Sequence, residues 1–232
     1  MVKMDLGIEL LLDDPGTLNA PIGFLEDIKK YSMKAILHQS GSIDMDMMLG
    51  KNYETFTVPH YATGIHITEK GLDYLEDYVR QVREVIGYEI PLAIDHVGHV
   101  GIDDVIRLAG RLEKYNIAWL EDVAPWYLTG HFEKISRESR IPICTGEDIF
   151  LAENFEPLMK NGGVSMVHPD LLTIGGALEM KKLGGLCDKY GVGLAVHMAE
   201  SPIACMAASH TAAALSNCLA VEFHSVDIPW WN

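Results

Sequence analysis

The chain has 232 residues, 48% hydrophobic and 22% charged, which is enough apolar material for the core of one barrel-sized domain. Its 18 basic side chains against 33 acidic ones leave a formal net charge of −15, which excludes nucleic acid and anionic membrane surfaces as partners because both repel an acidic protein. The cysteines Cys144, Cys187, Cys205 and Cys218 form no C-x-x-C pair and sit in apolar runs, so they read as small core residues. The N-terminus carries no signal-peptide apolar stretch, and no run reaches the roughly 18 residues of a membrane span, so a cytoplasmic protein is expected.

The first apolar run of strand length covers residues 2–8. Residues 9–68 then depart from any regular spacing: Asp13-Asp14-Pro15-Gly16, Pro21 and the Met-rich stretch 45–48 mark a long loop, with one helix expected at 24–31. Beyond it the pattern is regular. A helix is predicted over 69–86, with Leu72, Leu75, Val79, Val82 and Val85 on its apolar face, followed by a strand over 90–95. Helix 103–115, strand 117–121, helix 131–137, strand 141–146 and helix 153–160 come next, and strand 164–167, helix 177–190, strand 192–197, helix 202–215 and strand 218–223 complete the order. Asp103 and Asp104 suit a first helical turn, and Gly191 suits a C-cap.

Near-continuous apolar strands, rather than alternating ones, mean that both sheet faces are covered, which is the mark of a parallel sheet wrapped by helices. The predicted class is therefore α/β, a (β/α)8 TIM-type barrel. Seven strand candidates are present where a closed barrel needs eight, so residues 1–232 are expected to form a partial barrel lacking its first βα unit, with the long βα-loop at about 9–68 overhanging the rim.

Three carboxylates stand at equal intervals at strand ends: Asp95, Glu121 and Glu147, each 26 residues from the next. That interval is close to one βα repeat, so the three are expected at one rim of the barrel. Hard oxygen ligands gathered in this way suit Mg²⁺, and without a cation they would repel one another. Asp170, His197 and Glu222 continue the series at steps of 23, 27 and 25.

The ordered set Asp95, Glu121-Asp122, Gly146-Glu147, His168-Pro169-Asp170 with Gly175-Gly176, and His197 with Pro202 resembles the barrel domain of the enolase superfamily, of the mandelate racemase/muconate lactonizing enzyme type. The resemblance runs from Lys3 to Glu222 and is closest in character to the acid-sugar dehydratases. It implies Mg²⁺ on Asp95, Glu121 and Glu147, a base that removes the proton α to a substrate carboxylate, and an enediolate stabilised by the metal. It also implies that His197 carries a proton and that Asp170 orients it, which is sensible chemistry for a carboxylate and an imidazole on adjacent strand ends.

Glu222 resembles the family glutamate that hydrogen-bonds a substrate carboxylate. Lys3 matches the first lysine of the family's Lys-x-Lys pair, whereas Asp5 replaces the second. That replacement argues against a two-base racemase and for a dehydratase that expels the β-hydroxyl. His96 and His99, together with His60-Tyr61 in the long loop, are expected to contact substrate or to supply a second proton carrier. Gly175-Gly176, opening a helix, is a weak signal for phosphate binding through backbone N–H groups that close helix–strand packing explains as well, and Trp230-Trp231 reads as packing against a further segment. None of the family's α+β capping domain is recognisable.

The expected function is thus that of a magnesium-dependent lyase of carbohydrate acid metabolism. The expected partners are a small-molecule sugar acid and, as a homo-oligomer, further copies of the chain. A racemase or epimerase on the same enolate chemistry, and a catalytically impaired sugar-acid-binding barrel, are the alternatives.

Overall fold

The computed structural model describes residues 1–23, 25 and 64–223. His60, Tyr61, the helix expected at 24–31 (apart from residue 25), the Met-rich stretch 45–48 and Trp230-Trp231 lie outside the described residues.

Seven parallel strands form one curled sheet: β1 (Val2–Asp5), β4 (Leu92–Asp95), β5 (Ile117–Glu121), β6 (Ile143–Thr145), β7 (Met166–Val167), β8 (Gly193–Val196) and β9 (Cys218–Val221), neighbours in that order. All seven lie within the runs predicted for them. Helices alternate with the strands: α1 (Glu69–Ile86), α2 (Ile102–Leu112), α3 (Thr129–Glu138), α4 (Glu156–Lys160), α5 (Ala177–Tyr190) and α6 (Pro202–Ala213). This is a partial TIM-type barrel. The outer strand faces and the helices share one large core that includes Leu92, Ile94, Leu120, Phe132, Phe155 and Leu183. Ala93, Trp119 and Cys144 form a separate small cluster.

Two strands were not foreseen. β2 (Leu18–Asn19) and β3 (His66–Ile67) pair antiparallel, so the ends of the stretch predicted as a loop over 9–68 are held together. Asp104, expected only to favour a first helical turn, is buried and anchors this pair by accepting from Ile67 N at 3.2 Å and meeting His66 Nδ1 at 3.0 Å.

Helix α1 shows how the apolar stripe is set. Thr68 caps it by accepting from Gly71 N, and Leu72, Leu75, Val79 and Arg83 are its buried face. Val85, predicted on that face, is 86% exposed. At about 100° per residue, Arg83 lies only about 20° round from Leu72 whereas Val85 lies about 140° away. Position 83 therefore goes inward even as arginine. Its guanidinium is satisfied by carbonyls, donating to Tyr115 O (2.8 Å), Asn116 O (2.7 Å), Ile90 O (2.7 Å) and Gly87 O (3.0 Å). At the far end of the chain Gly191 closes α5 in the left-handed conformation, at φ 67°, as expected.

A candidate metal and acid–base site

Register places the site. β1 pairs with β4 so that Lys3 faces Ala93 and Asp5 faces Asp95. Side chains two apart share a sheet face. The same parity brings Trp119 and Glu121, Ala195 and His197, and Ala220 and Glu222 to the inner side, together with His168 two residues before Asp170. A cavity of about 550 Å³ lined by Lys3, Asp5, Trp119, His168 and Glu222 opens on that side. A second cavity of about 730 Å³ at the rim is lined by His96, His99, Asp122, Thr145 and Glu147.

Lys3 is the hub of the acidic cluster. Its Nζ stands 2.7 Å from Asp95 Oδ2, 3.2 Å from Glu121 Oε1 and 3.0 Å from Glu222 Oε1. Burial alone would lower this ammonium, but Glu121 and Asp95 outweigh it and hold it above the ordinary lysine range. Lys3 gives these three carboxylates, not Asp5, its ion pairs. The repulsion expected among the acids is thus partly met by a cation of the chain itself.

Glu121 is fully buried, and burial would raise it. The bond from His168, with Lys3 and Trp119 in support, instead draws it down to about 2. Its Oε2 accepts from Trp119 Nε1 at 2.8 Å, and its Oε1 lies 2.5 Å from His168 Nδ1. An ionised carboxylate only accepts, so His168 carries its proton on Nδ1.

The carboxylates divide between two groups. Asp95, Glu121 and Asp122 bring oxygen atoms within 4.8 Å of one another. Asp122, not foreseen as a ligand, sits at φ 48° just beyond β5 and accepts from Thr145 Oγ1 at 2.6 Å. Burial, then the charges of Glu121 and Glu147, push its carboxyl well above the usual carboxylate range. An enclosed acid held up by neighbouring anions is one that a divalent cation would relieve, and the all-oxygen donor set suits a hard ion. These residues fit Mg²⁺. Glu147, the third ligand expected from spacing, turns its Oε2 to within 3.1 Å of His197 Nε2; burial raises its carboxyl, offset in part by that imidazole.

His197 and Asp170 meet as expected. Their backbones form an isolated parallel bridge, and His197 Nδ1 stands 3.1 Å from Asp170 Oδ2. Asp170 Oδ1 accepts from Leu172 N and Thr173 N, both at 2.8 Å, which fixes the carboxylate plane. Burial would lower the imidazole, but the Asp170 bond and the charges of Glu147 and Glu222 raise it to about 9. Glu222 Oε2 accepts from Met198 N at 3.1 Å and lies 3.7 Å from His197 Nε2.

His96 and His99 stack at 6.5 Å and line the second cavity together with Glu147, and His96 brings a ring nitrogen within 4.8 Å of oxygens of Asp5 and Asp95. His168, Trp119 and Asp122 are the site residues that spacing alone did not single out; His168 could have been found from its position two residues before Asp170, on the same face. Two expectations need correction. Gly175 and Gly176, at φ 106° and 93°, are set by backbone conformation rather than by close packing, since a Cβ at Gly175 would touch Glu179 Cγ at an ordinary 3.4 Å and one at Gly176 would meet nothing within 4 Å. Of the cysteines, Cys144 and Cys187 are buried, but Cys205 and Cys218 are only partly so, since each sits near an element end.

Residues 60–231 match the family described as Enolase C-terminal domain-like. The chain belongs to this family. A D-xylonate dehydratase of Haloferax volcanii is 33% identical over 168 residues, which is 72% of this chain and 40% of that protein. This enolase-type chain therefore spans about 40% of the length of that curated relative. Among solved structures, a mandelate racemase/muconate lactonizing enzyme-like protein from Rubrobacter xylanophilus matches at TM-score 0.68 and 32% identity, covering 71% of this chain and 42% of that one. The 3,6-anhydro-D-galactonate cycloisomerase from Zobellia galactanivorans matches at TM-score 0.64 and 28% identity, covering 68% of this chain and 44% of that one.

Proposed function

We propose that this domain dehydrates a sugar acid, removing the proton α to the carboxylate and expelling the β-hydroxyl to leave a 2-keto-3-deoxy acid. The observation that carries the reading is the setting of His197, whose Nδ1 is committed to Asp170 while its Nε2 faces the acidic cluster. With its imidazole raised to about 9, His197 is an imidazolium at neutral pH. It therefore serves as general acid, and Nε2 is the atom that hands a proton to the departing hydroxyl. The likeness to the Haloferax D-xylonate dehydratase supports the same reaction class.

Lys3 is a poor base because the carboxylates around it hold its proton. Its ammonium is suited to binding and orienting a substrate carboxylate, and Glu222, whose carboxyl Lys3 holds low against burial, helps to fix that ammonium. Asp95 and Glu121, with Asp122 beside them and Glu147 across, would hold Mg²⁺. That ion, when bound, supplies Lewis-acid stabilisation of the charge that develops on the substrate carboxylate. His96 and His99 on the rim are left to receive the α-proton or to contact substrate hydroxyls.

The test is to incubate the full-length protein with Mg²⁺ and a panel of sugar acids, D-xylonate included, in D₂O. A ketone product deuterated at C3, with little deuterium washed into C2 of recovered substrate, is expected. A C2 epimer deuterated at C2 and formed without ketone would show a racemase instead, and the absence of any product across the panel would leave only binding.

A further inference from the structure

A third carboxyl stands behind the dyad with no part in the chemistry described so far. Glu200 lies in the loop between β8 and α6, and one polar atom each from Asp170, His197 and Glu200 lie within 4.8 Å of one another. Glu200 Oε2 is buried, and no N–H or O–H group of the described residues reaches it. A buried carboxylate oxygen without a donor, set beside a second carboxylate, is costly twice over, through lost hydration and through like-charge repulsion. One change removes both costs. If Glu200 carries a proton, its O–H donates to Asp170 and the two oxygens attract instead of repel. The electrostatics agree, since burial and then Asp170 raise the Glu200 carboxyl while the bonds from His197, Thr173 and Glu200 hold Asp170 low against its own burial.

We propose that Glu200 is a positioning residue of the dyad, a carboxylic acid whose proton is donated to Asp170 and which thereby locks the carboxylate that orients His197. The reading deepens the proposed function, resting on His197 as the proton carrier. Asp170 then takes hydrogen bonds from Leu172 N, Thr173 N, His197 Nδ1 and Glu200, which leaves its carboxylate no freedom to turn. Nδ1 of His197 keeps its proton and its partner, so Nε2 stays aimed at the substrate side. No electron pair or leaving group moves through Glu200.

Three measurements on the full-length protein test this. The infrared difference spectrum of the parent minus Glu200→Gln should show a protonated-carboxyl C=O band; an ionised-carboxylate band in its place would overturn the proposal. Glu200→Gln keeps a donor to Asp170 and should hold kcat within about twofold, whereas Glu200→Leu should lose about tenfold or more in kcat with KM little changed. Parental kcat in Glu200→Leu, or an equal loss in both variants, would overturn it as well. The downfield Nδ1–H proton resonance of His197 should persist in Glu200→Gln and shift or vanish in Glu200→Leu, and an unmoved resonance in Glu200→Leu counts against the idea. The infrared and resonance measurements need no substrate, so they decide the role of Glu200 even if no sugar acid is turned over.

Discussion

Proton transfer at His197 is governed by what each ring nitrogen touches. Nδ1 belongs to Asp170, and Nε2 lies between Glu147 at 3.1 Å and Glu222 at 3.7 Å. Replacing His197 by Asn should lower kcat by the roughly 10²–10⁴-fold that a lost general acid costs, with Mg²⁺ affinity little changed. The folded-state value is raised to about 9, so the acid form is present below that pH and lost as pH rises through it. Turnover should therefore fall on the alkaline side, at a pH below 9 because Mg²⁺ offsets the charge of Glu147 that helps raise the ring, and Asp170→Asn, which removes the largest upward influence on the ring, should move that fall lower still. An alkaline limb that stays in place in Asp170→Asn would show that another group controls it.

A second residue-scale prediction concerns Glu121. Strand-end spacing alone suggests that neutralising it would relieve repulsion, but in the structure Glu121 receives Lys3, His168 Nδ1 and Trp119 Nε1. Glu121→Gln turns one acceptor oxygen into an NH₂ facing a buried donor, so the metal-free variant should be less stable by about 1–3 kcal/mol in urea unfolding, and it should lose Mg²⁺ affinity. The sign of the pH effect follows from the depressed carboxyl: the parent holds this stabilisation above pH 4.5 and loses it as pH falls towards 2. A variant as stable as the parent would mean that the three donors contribute little.

These two residues also show what could be read in advance. Near-equal spacing placed Asp95, Glu121, Glu147, Asp170, His197 and Glu222 at one rim because a βα repeat has a nearly constant length, whereas Lys3 was legible only from the family resemblance. The spacing said nothing of Trp119, His168 and Asp122, whose contacts depend on the two-residue alternation within a strand and on the turn just past it.

Among the elements, both strand and helix order were legible because buried parallel strands and amphipathic helices differ in period. Their ends were less so. The apolar run at 141–146 yields only Ile143–Thr145 as strand, since neighbouring strands offer ladder partners over a shorter stretch than the run is apolar. The pairing of β2 with β3 was invisible because it joins residues 47 and 49 apart through two-residue strands too short to carry any period.

One tight contact between elements makes a prediction. Gly98 sits in the turn after β4, where a Cβ would come within 2.1 Å of Asp122 O and 2.8 Å of Ala124 N. Both are backbone atoms that cannot rotate away. Gly98→Ala should push back the segment that carries Asp122, costing about 1–3 kcal/mol of stability and weakening Mg²⁺ binding together. Calorimetry showing parental values of both would mean that the turn yields freely.

Over the whole molecule, the site draws on every strand of the seven-stranded sheet. Lys3 comes from β1, Asp95 from β4, Glu121 from β5, Glu147 from just past β6, Asp170 from beyond β7, His197 from the end of β8 and Glu222 from the end of β9. β1 and β9 are the two edges of the sheet, yet Lys3 and Glu222 meet at 3.0 Å across the inner side. Asp95, Glu121, Glu147, Asp170 and Glu222, with Asp122 whose carboxyl its neighbours' charges push up, stand there against Lys3 and His197, in a chain whose net charge is −15. A divalent cation bound among these acids would therefore stabilise the fold of the entire sheet by mass action, because the unfolded chain has no such cluster to offer. At a hundredfold excess over Kd the gain is about 2.7 kcal/mol. Thermal unfolding should thus show one transition whose Tm climbs with MgCl₂ and saturates, while NaCl at matched ionic strength moves it far less. Glu121→Gln should show only the NaCl-like shift. Equal shifts with the two salts in the parent would mean that magnesium acts by general screening of the acidic surface, and the metal assignment would fall with it.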